Sequence, residues 1–368
     1  GVLKYGIPEF RLPNELVDCV VDKIRLLGGR FVTNFVVGKT ATLDDLKAAG
    51  FWRIFVGTGA GLPKFMNVPG EHLNGVMSAN EFLTRVNLMH ANLPDYDTPL
   101  PEVAGKEILV IGGGNTAMDA ARTARRLGGH VTIVYRRTKA EMPARVEELH
   151  HALEEGIVVA ELRAPTEFHE DENHHVAGAS VGEMELGEPD ESGRRRPQPT
   201  GEILEMDADL VIMALGNSSN PIIRDSQPDL AVQQWGAIKV GKDAAGGEAG
   251  ADSVAETPSQ ATNLEGIYSG GDASRGGSTA IKAAGDGQAA ARQMGDLAVH
   301  LEPEDVRQRV QRALEYTQSA ASAYRILEKR QLSERTWEMK LHAPAVARAV
   351  QPGQFARFMT HEKGELIP

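Results

Sequence analysis

Residues 108–123 read ILVIGGGNTAMDAART, an apolar run followed by three glycines and a stretch of helix-forming composition. This order predicts a strand, a tight turn and a helix, with Gly112, Gly114 and Ala117 at the special positions of a GxGxxA turn. The first glycine permits the turn, the second lets a pyrophosphate approach the backbone, and the small third residue lets helix and strand pack closely. The helix start adds unpaired N–H donors and partial positive charge. The stretch therefore predicts a site for the pyrophosphate of a dinucleotide.

A glycine turn can also serve only to join a strand to a helix, so the surrounding pattern matters. KEILVIG (106–112) and HVTIVYRR (130–137) read as strands, and ARVEELHHALEEG (144–156) reads as a charged helix. Strands that alternate with helices predict a parallel sheet with right-handed crossovers. The whole βαβ unit can be identified, and this favours the nucleotide site over a purely structural turn.

Two arginines, Arg136 and Arg137, stand at the end of the second strand of this unit. A site for NAD would carry Asp or Glu there, because an acidic side chain accepts from the ribose 2′-hydroxyl, whereas Arg pairs with a 2′-phosphate. The pattern predicts NADPH rather than NADH. The alternative is that the two arginines form an ordinary solvated strand end. Arg145, near the start of the next helix, is a third candidate.

A second cofactor signal is GIYSGGD (266–272), which reads as a short strand that ends in two glycines and an aspartate. A helix is expected to begin near Ser278 to Ala280. The glycines allow a close approach of the backbone to a ligand, and Asp272 can accept from a ribityl or ribose hydroxyl. The pattern predicts flavin recognition. The alternative is an aspartate that only caps the following helix.

The rest of the chain contains further helix and strand patterns, with the turn-rich connection NLPDYDTPLPEVAG at 92–105 and a small, acidic, flexible loop expected at 241–263. Cys19 is expected to be a buried hydrophobe inside the first long helix. GEPDESGRRRPQPTG (187–201) is expected to be a surface loop between hairpin-like strands. The predicted helices are 14–27, 42–50, 78–89, 278–301 and 302–318, and the predicted strands are 30–38, 52–60, 176–186, 201–216 and several short ones in 322–368.

Composition limits the classes of function. The chain has 368 residues, enough for two or three domains, and its net charge of −12 argues against a broad nucleic-acid surface. It has no apolar stretch near the ~18 residues of a membrane helix, and its first residues lack a signal-peptide pattern, so a cytoplasmic location is expected. The single cysteine leaves no CxxC pair for a thioredoxin-reductase-like disulfide reductase. The histidine pairs at 150–151 and 174–175 are expected to be solvated surface rather than metal ligands.

Six motifs in order give a more specific resemblance. They are IFVGTGA (54–60), VIGGGNTAMDAART (110–123), VYRRTKAEMPAR (134–145), MELGEPDESGRRRP (184–197), VIMALGNSSNP (211–221) and GIYSGGD (266–272). This combination resembles the small subunit of NADPH-dependent glutamate synthase. It is also similar to the large flavoprotein subunit of NADH-dependent ferredoxin:NADP oxidoreductase, also called sulfide dehydrogenase. The resemblance covers roughly residues 1–300.

The resemblance implies an α/β protein with two Rossmann-like dinucleotide-binding domains, in which an NADPH domain is inserted into an FAD domain. The expected domains are 1–98 with 226–302 for FAD, 99–225 for NADPH, a helical linker at 303–324, and the start of a ferredoxin-NADP reductase-like β-barrel at 325–368. Hydride would pass between NADPH and FAD, and no side chain is expected to be catalytic because the cofactors carry the reaction. The predicted cofactor-binding residues are Gly112, Gly113, Gly114, Asn115, Thr116, Ala117, Arg136, Arg137 and Arg145 for NADPH, Gly271, Asp272, Thr279 and Ala280 for FAD, Thr58 and Gly59 at the turn between the domains, and Gly216, which is assigned to neither cofactor.

Two departures from the family pattern affect the expected function. The family's amino-terminal iron–sulfur domain and first FAD glycine loop are missing, so we expect an internal piece of a larger fusion or hetero-oligomer. The expected partner is an iron–sulfur protein or domain, such as a ferredoxin or a glutamate synthase large subunit. The alternative function is a non-catalytic NADPH-binding scaffold that cannot retain FAD. Asp119 is expected to pair with Arg122 or to interact with the helix dipole, and the sequence leaves both open.

Overall fold

The computed structural model describes residues 1–33, 35–189, 195–244, 259–298, 303–321, 325–331, 337–342, 358–359 and 366–367. The chain divides into two compact units. Unit 1 comprises Gly1–Leu27 and Leu62–Asn217, and unit 2 comprises Gly28–Gly61 and Ser218–Pro368. The two units are defined by packing within the chain and not by bound cofactors. The expected boundaries of the FAD and NADPH domains therefore remain predictions.

Helices and strands alternate along much of the described chain. The helices are α1 Val2–Tyr5, α2 Asn14–Leu26, α3 Leu43–Ala48, α4 Ala79–Asn87, α5 Asn115–Arg126, α6 Val146–Glu154, α7 Ile222–Ser226, α8 Asp272–Arg275, α9 Ala280–Ala298 and α10 Pro303–Ala321, with short 3-10 turns at Lys139–Glu141 and Gly241–Asp243. The strands are β1 Ile54–Val56, β2 Leu62–Pro63, β3 Val76–Ser78, β4 Glu107–Ile111, β5 His130–Tyr135, β6 Val158–Glu161, β7 Arg163–Glu170, β8 Val176–Pro189, β9 Arg195–Asp207, β10 Leu210–Met213, β11 Asn217–Ser218, β12 Ile267–Ser269, β13 Arg325–Gln331, β14 Trp337–His342, β15 Phe358–Met359 and β16 Leu366–Ile367.

A parallel five-stranded sheet lies at the centre of unit 1, in the order β3-β10-β4-β5-β6. Leu109 of β4 pairs with Val211 on one side and Thr132 on the other, and both pairings are parallel. Strand β4 is a nearly continuous apolar run because both of its faces are covered. Ile108 and Val110 pack in a core with α4 and α5. Leu109 and Ile111 pack in a second core, with residues of β7 and β8. The predicted α/β class with a parallel sheet is confirmed.

The β7-β8-β9 sheet of unit 1 is antiparallel, and it corrects two predictions. Strand β8 ends at Pro189 and β9 begins at Arg195, so the whole described part of the expected surface loop 187–201 is strand. The expected single strand 201–216 is two strands, because β9 ends at Asp207 and β10 enters the parallel sheet. The residues of β9 are largely exposed, whereas all four residues of β10 are buried. The change from a mixed to a purely apolar pattern marks this division.

The described sheet at the centre of unit 2 has two parallel strands, and Phe55 of β1 pairs in register with Tyr268 of β12. Helix α3 confirms the predicted capped helix, since Thr42 and Asp45 form a capping box. The expected strand at 30–38 is wrong for its described residues. Only Val37 makes a bridge there, to Ala41, and the chain then turns at Gly38, whose φ is +94°. Alternating apolar residues do not form a strand where no neighbouring strand pairs with them.

Helix α2 begins at Asn14 as expected, but it has no buried residue. Leu16 and Val20 are 58% and 56% exposed. Cys19 is exposed as well, so the expectation of a buried cysteine is wrong. The periodicity predicted the helix correctly, but its apolar face is only partly covered by the described residues, with Val17 and Val21 half-buried.

The carboxyl-terminal stretch contains two antiparallel strand pairs, β13 with β14 and β15 with β16. They confirm the expectation of short strands, but most of 343–368 lies outside the described residues, and the β-barrel remains a prediction. Residues 245–258 of the expected flexible loop also lie outside them. Within the described ranges, every helix is too short or too polar to cross a membrane.

Candidate nucleotide-binding sites

The three glycines between β4 and α5 have three different surroundings. A Cβ on Gly112, whose φ is +139°, would lie 2.4 Å from the carbonyl oxygen of Ala214, the residue that follows β10. A Cβ on Gly113 would lie 2.7 Å from the ring of Tyr135. A Cβ on Gly114 would meet no protein atom within 4 Å. The first two glycines are therefore needed for packing, whereas the third borders open space at the start of the helix.

The first turn of α5 is available to an anion. Gly114 is the N-cap, and no side chain caps the helix. Ala117 and Met118 donate their N–H groups to the carbonyl of Gly114, whereas the N–H groups of Asn115 and Thr116 donate to no described group. Free amides at a helix start, together with the helix dipole, favour a phosphate. Ala117 is 0% exposed, as the close-packing position of the turn requires.

The predicted arginines lie at the end of β5, beside the same edge of the sheet. Arg136 is exposed, and its guanidinium makes no hydrogen bond or ion pair with the described residues. Arg137 is half-buried, and its buried Nε has no hydrogen-bond partner. An unpaired buried N–H costs stability unless a ligand satisfies it. The exposed Arg145 lies 3.6 Å from Glu147, and its N–H donates to Asn115 Oδ1.

The turn that follows these arginines is held by several hydrogen bonds. Thr138 and Glu141 form a capping box, with Glu141 Oε2 accepting from the N–H and hydroxyl of Thr138 at 3.3 and 3.2 Å. Arg195 of β9 donates to Glu141 Oε1 at 2.8 Å, and the hydroxyl of Tyr135 donates to the Glu141 carbonyl at 3.0 Å. Partial burial raises the pKa of the Glu141 carboxyl, but the hydrogen bonds from Thr138 and Arg195 bring it below its usual value. Glu141 is therefore ionised at neutral pH.

Asp119, on α5, has a partner that the sequence did not suggest. Its Oδ1 accepts from Arg11 Nη1 at 2.6 Å, and Arg11 also lies 3.1 Å from Glu148. Arg122, one of the two predicted options for Asp119, instead pairs with Glu148 and Glu155 at 2.9 Å. Arg11 is distant in sequence, so local spacing gave no signal for this pair. Burial raises the pKa of Asp119 to about 6, although Arg11 lowers it.

The raised pKa of Asp119 predicts a pH-dependent stability. Because the folded-state pKa is about 6 and the ordinary value is 3.8, the folded chain holds this proton more tightly than the unfolded chain. Stability from this group is therefore present below pH 3.8 and is lost as the pH rises through about 6, by at most ~3 kcal/mol. Asp119→Asn should remove this slope, as measured by urea unfolding between pH 4 and 7. Asp22→Asn, in an exposed ion pair with Arg25, is the control. A slope that persists in Asp119→Asn would contradict the prediction.

The second candidate site lies at the carboxyl ends of β1 and β12, which are parallel neighbours. Gly271, with φ +64°, and Asp272 follow β12, and Thr58 and Gly59 follow β1, so all four residues lie after the same edge of the sheet. A Cβ on Gly59 would meet no protein atom within 4 Å. Asp272 Oδ1 accepts from the N–H of Ser278 at 3.1 Å, and burial raises the pKa of this carboxyl despite that hydrogen bond.

Asp286 holds the turn at Gly271 in place, and the sequence did not suggest this role. It is 4% exposed, and its Oδ2 accepts from the N–H of Gly271 at 2.9 Å. Arg275 binds both oxygens of Asp286, each at 2.6 Å. This hydrogen bonding lowers the pKa of Asp286, although burial acts in the opposite direction. Asp286 lies in a helix of small residues, where no local pattern distinguishes it.

The start of α9 is exposed. Helix α9 begins at Ala280, within the expected range, and Thr279 Oγ1 accepts from the N–H of Lys282 at 3.4 Å. Thr279 therefore caps the helix. Ala280, the first residue of the helix, is exposed. Gly216 of unit 1, with φ +86°, likewise borders open space two residues after Ala214.

The structure brings the predicted site residues together as two groups, each at the carboxyl edge of a parallel sheet. The first group, in unit 1, follows β4, β5 and β10, and the second, in unit 2, follows β1 and β12. Ligands of open α/β sheets bind at this edge. Sequence reasoning missed Arg195, Asp286 and Arg11, which act through contacts distant in sequence. In the part of the chain that the structure describes, no group of three or more His, Cys, Asp or Glu side chains could hold a metal ion.

Comparison with known proteins identifies the family of this chain. A family model described as pyridine nucleotide-disulphide oxidoreductase matches residues 5–287. The NADP(+)-dependent formate dehydrogenase subunit beta of Moorella thermoacetica is 35% identical, over 79% of this chain and 38% of its own length. The glutamate synthase (NADPH) small chain of Azospirillum brasilense is 33% identical, over 79% of this chain and 58% of its own length. The chain thus spans between about two fifths and three fifths of these relatives.

Among solved structures, FprA of Mycobacterium tuberculosis in complex with NADPH matches with a TM-score of 0.64. The match covers 87% of this chain and 81% of FprA, at 20% identity. At this identity the likeness shows the fold alone. The family match and the glutamate synthase small chain of Azospirillum brasilense confirm the resemblance that the six sequence motifs predicted.

Proposed function

The chain belongs to the pyridine nucleotide-disulphide oxidoreductase family, and we propose that it is a flavoprotein oxidoreductase that exchanges hydride between NADPH and FAD. NADPH binds in unit 1, where Gly112 to Ala117 and Gly216 receive the pyrophosphate region and Arg136, Arg137 and Arg145 receive the 2′-phosphate. FAD binds in unit 2, at Thr58, Gly59, Gly271, Asp272, Thr279 and Ala280. When bound, nicotinamide and flavin supply the hydride chemistry themselves, so the chain's task is to bind and orient them.

One observation carries the NADPH assignment. The buried Nε of Arg137 has no partner, and Arg137 lies at the carboxyl edge of the sheet where Gly114 borders open space. An unsatisfied guanidinium donor fits a phosphate, with which Arg forms strong, charge-assisted hydrogen bonds. The free N–H groups of the first turn of α5 fit the pyrophosphate in the same way.

The residues of unit 2 fit a flavin nucleotide. Gly59 borders open space, and the partly buried Asp272 retains acceptor capacity beyond its bond to Ser278. The helix that follows begins with an exposed first turn, whose N–H groups can face a phosphate. Asp286 fixes Gly271 and so holds this turn in place.

The family name includes disulfide chemistry, but this chain has a single cysteine, Cys19, and so supplies no dithiol of its own. Its relatives are named as a small chain and a beta subunit. We therefore propose a hetero-oligomer or fusion in which electrons pass to an iron–sulfur protein or domain. The cytoplasmic location expected from the sequence stays a prediction.

The test is a visible spectrum of the chain after FAD loading and removal of free flavin. We expect the flavin absorbance to stay with the protein and to bleach without oxygen on addition of NADPH. NADH should require at least about tenfold higher concentration for the same rate, since it lacks the phosphate that the arginines bind. Dithionite, which bleaches flavin regardless of the nucleotide site, is the control.

Two outcomes would contradict the proposal. A colourless chain that still binds NADPH would support the alternative, a nucleotide-binding scaffold without flavin chemistry. A flavin that dithionite bleaches and NADPH does not would show that the two nucleotides do not react in this chain.

A further inference from the structure

The contact between Arg195 and Glu141 is not explained by the nucleotide sites described above. Arg195 is the first residue of β9, and its Nε donates to Glu141 Oε1 at 2.8 Å. Arg195 is 43% exposed at its side chain and Glu141 is 21% exposed. The antiparallel hairpin of β8 and β9 thus contacts the turn that follows the predicted 2′-phosphate arginines.

Glu141 is an anion beside the place where another anion is expected to bind. Its Oε2 is bonded to Thr138, the residue that follows Arg137. Arg137 Nε is buried and has no partner. Glu141 is four residues after Arg137. If its carboxylate reached the unpaired guanidinium, it would compete with a phosphate, because both are acceptors for the same N–H fork. The hydrogen bond from Arg195 occupies Oε1, the other oxygen of Glu141, and so holds this oxygen away from Arg137.

We propose that Arg195 is a positioning residue for nucleotide selectivity, which holds the Glu141 carboxylate so that Arg136 and Arg137 stay available to a 2′-phosphate. This inference rests on the proposed NADPH site and adds to it a selectivity element from a different sheet. Arg195 itself need not contact the nucleotide. The turn has further supports, since Lys139 donates its N–H and its Nζ to Glu161 at 2.7 and 3.0 Å. Loss of Arg195 should therefore free Oε1 of Glu141, while the bonds made by Thr138 and Lys139 keep the turn folded.

The chain offers a matched control in the next residue. Arg196 carries the same charge on the same strand but points to the opposite face, because successive strand residues alternate. Its side chain is exposed and makes no hydrogen bond or ion pair with the described residues. Arg196→Gln therefore reports the effect of net charge alone, whereas Arg195→Gln also releases Glu141.

The experiment measures the binding of 2′,5′-ADP and of 5′-AMP, which lacks the 2′-phosphate, by calorimetry on the full chain. Arg195→Gln should weaken 2′,5′-ADP by about fivefold, or ~1 kcal/mol, the upper end for a half-exposed ion pair. Binding of 5′-AMP should not change. Arg196→Gln should change neither ligand by more than about twofold. Arg195→Lys, which can still donate to Glu141, should restore most of the affinity.

A double substitution tests whether Arg195 acts through Glu141. Glu141→Gln keeps an oxygen that can cap Thr138 but removes the charge, so Arg195→Gln combined with Glu141→Gln should bind 2′,5′-ADP as tightly as Glu141→Gln alone. The inference is overturned if Arg195→Gln has no effect, weakens both ligands equally, or matches Arg196→Gln. If the unsubstituted chain binds both ligands equally, the proposed NADPH site fails first. Unfolding midpoints of each variant would identify a loss caused by misfolding.

Discussion

The double substitution Arg136→Ala and Arg137→Ala is expected to weaken NADPH binding by roughly 100-fold or more, since each charge-assisted hydrogen bond contributes ~1.5–3 kcal/mol. NADH binding should stay within about threefold, because NADH has no 2′-phosphate. The chain should remain folded, because neither guanidinium makes a hydrogen bond or ion pair with the described residues.

The measurement is the dissociation constant of each nucleotide by fluorescence or calorimetry, at several salt concentrations. Phosphate binding weakens with salt, so the difference between NADPH and NADH should shrink as salt rises. Arg307→Ala with Arg312→Ala, which removes two exposed charges from α10, is the control. Equal losses for NADPH and NADH would remove the 2′-phosphate assignment of both arginines.

The second large effect separates two glycines of one turn. Gly112→Ala should destabilise unit 1 by ~1–3 kcal/mol or more, because the new Cβ would lie 2.4 Å from the Ala214 carbonyl and the φ of +139° is strained for alanine. Gly114→Ala should leave stability within about 0.5 kcal/mol, since its φ is −90° and no protein atom lies within 4 Å of the new Cβ. It should nevertheless weaken NADPH by about tenfold, because the methyl group occupies the approach of the pyrophosphate.

Urea unfolding and nucleotide titration of both variants check this separation. Each variant serves as the control for the other, because both add one methyl group to the same turn. If Gly114→Ala left NADPH binding unchanged, the open space beside Gly114 would not be the pyrophosphate site. If Gly112→Ala were as stable as the unsubstituted chain, the close approach to Ala214 would not constrain the fold.

Local signals in the sequence were sufficient for the elements that build the first site. The β4 strand, the glycine turn and α5 follow from an apolar run, three glycines and helix formers in direct succession. The capping box of Thr42 and Asp45 also predicted its helix correctly. The same signal was present in Thr138 and Glu141 and could have revealed the turn after Arg137. These features depend on residues a few positions apart.

Contacts distant in sequence account for what could not be predicted. The strand expected at 30–38 had suitable alternation, but a strand needs a partner, and single-sequence periodicity does not supply one. Cys19 lies on a real helix whose burial depends on what packs against it. Asp119 pairs with Arg11, and Gly271 with Asp286, through folding rather than spacing. Sequence patterns thus predicted the glycine turns and the elements around them better than the distant groups that hold those turns in place.

The hairpin of β8 and β9 joins two parts of unit 1 that differ in their tolerance of change. At one end, Val181 is fully buried against the central sheet, and at the other, Arg195 reaches the turn beside Arg137 as a partly exposed side chain. Substitutions at the exposed end cost little stability. Over evolutionary time, the proposed preference for NADPH can therefore change through this peripheral ribbon while the glycine turn between β4 and α5 stays unchanged.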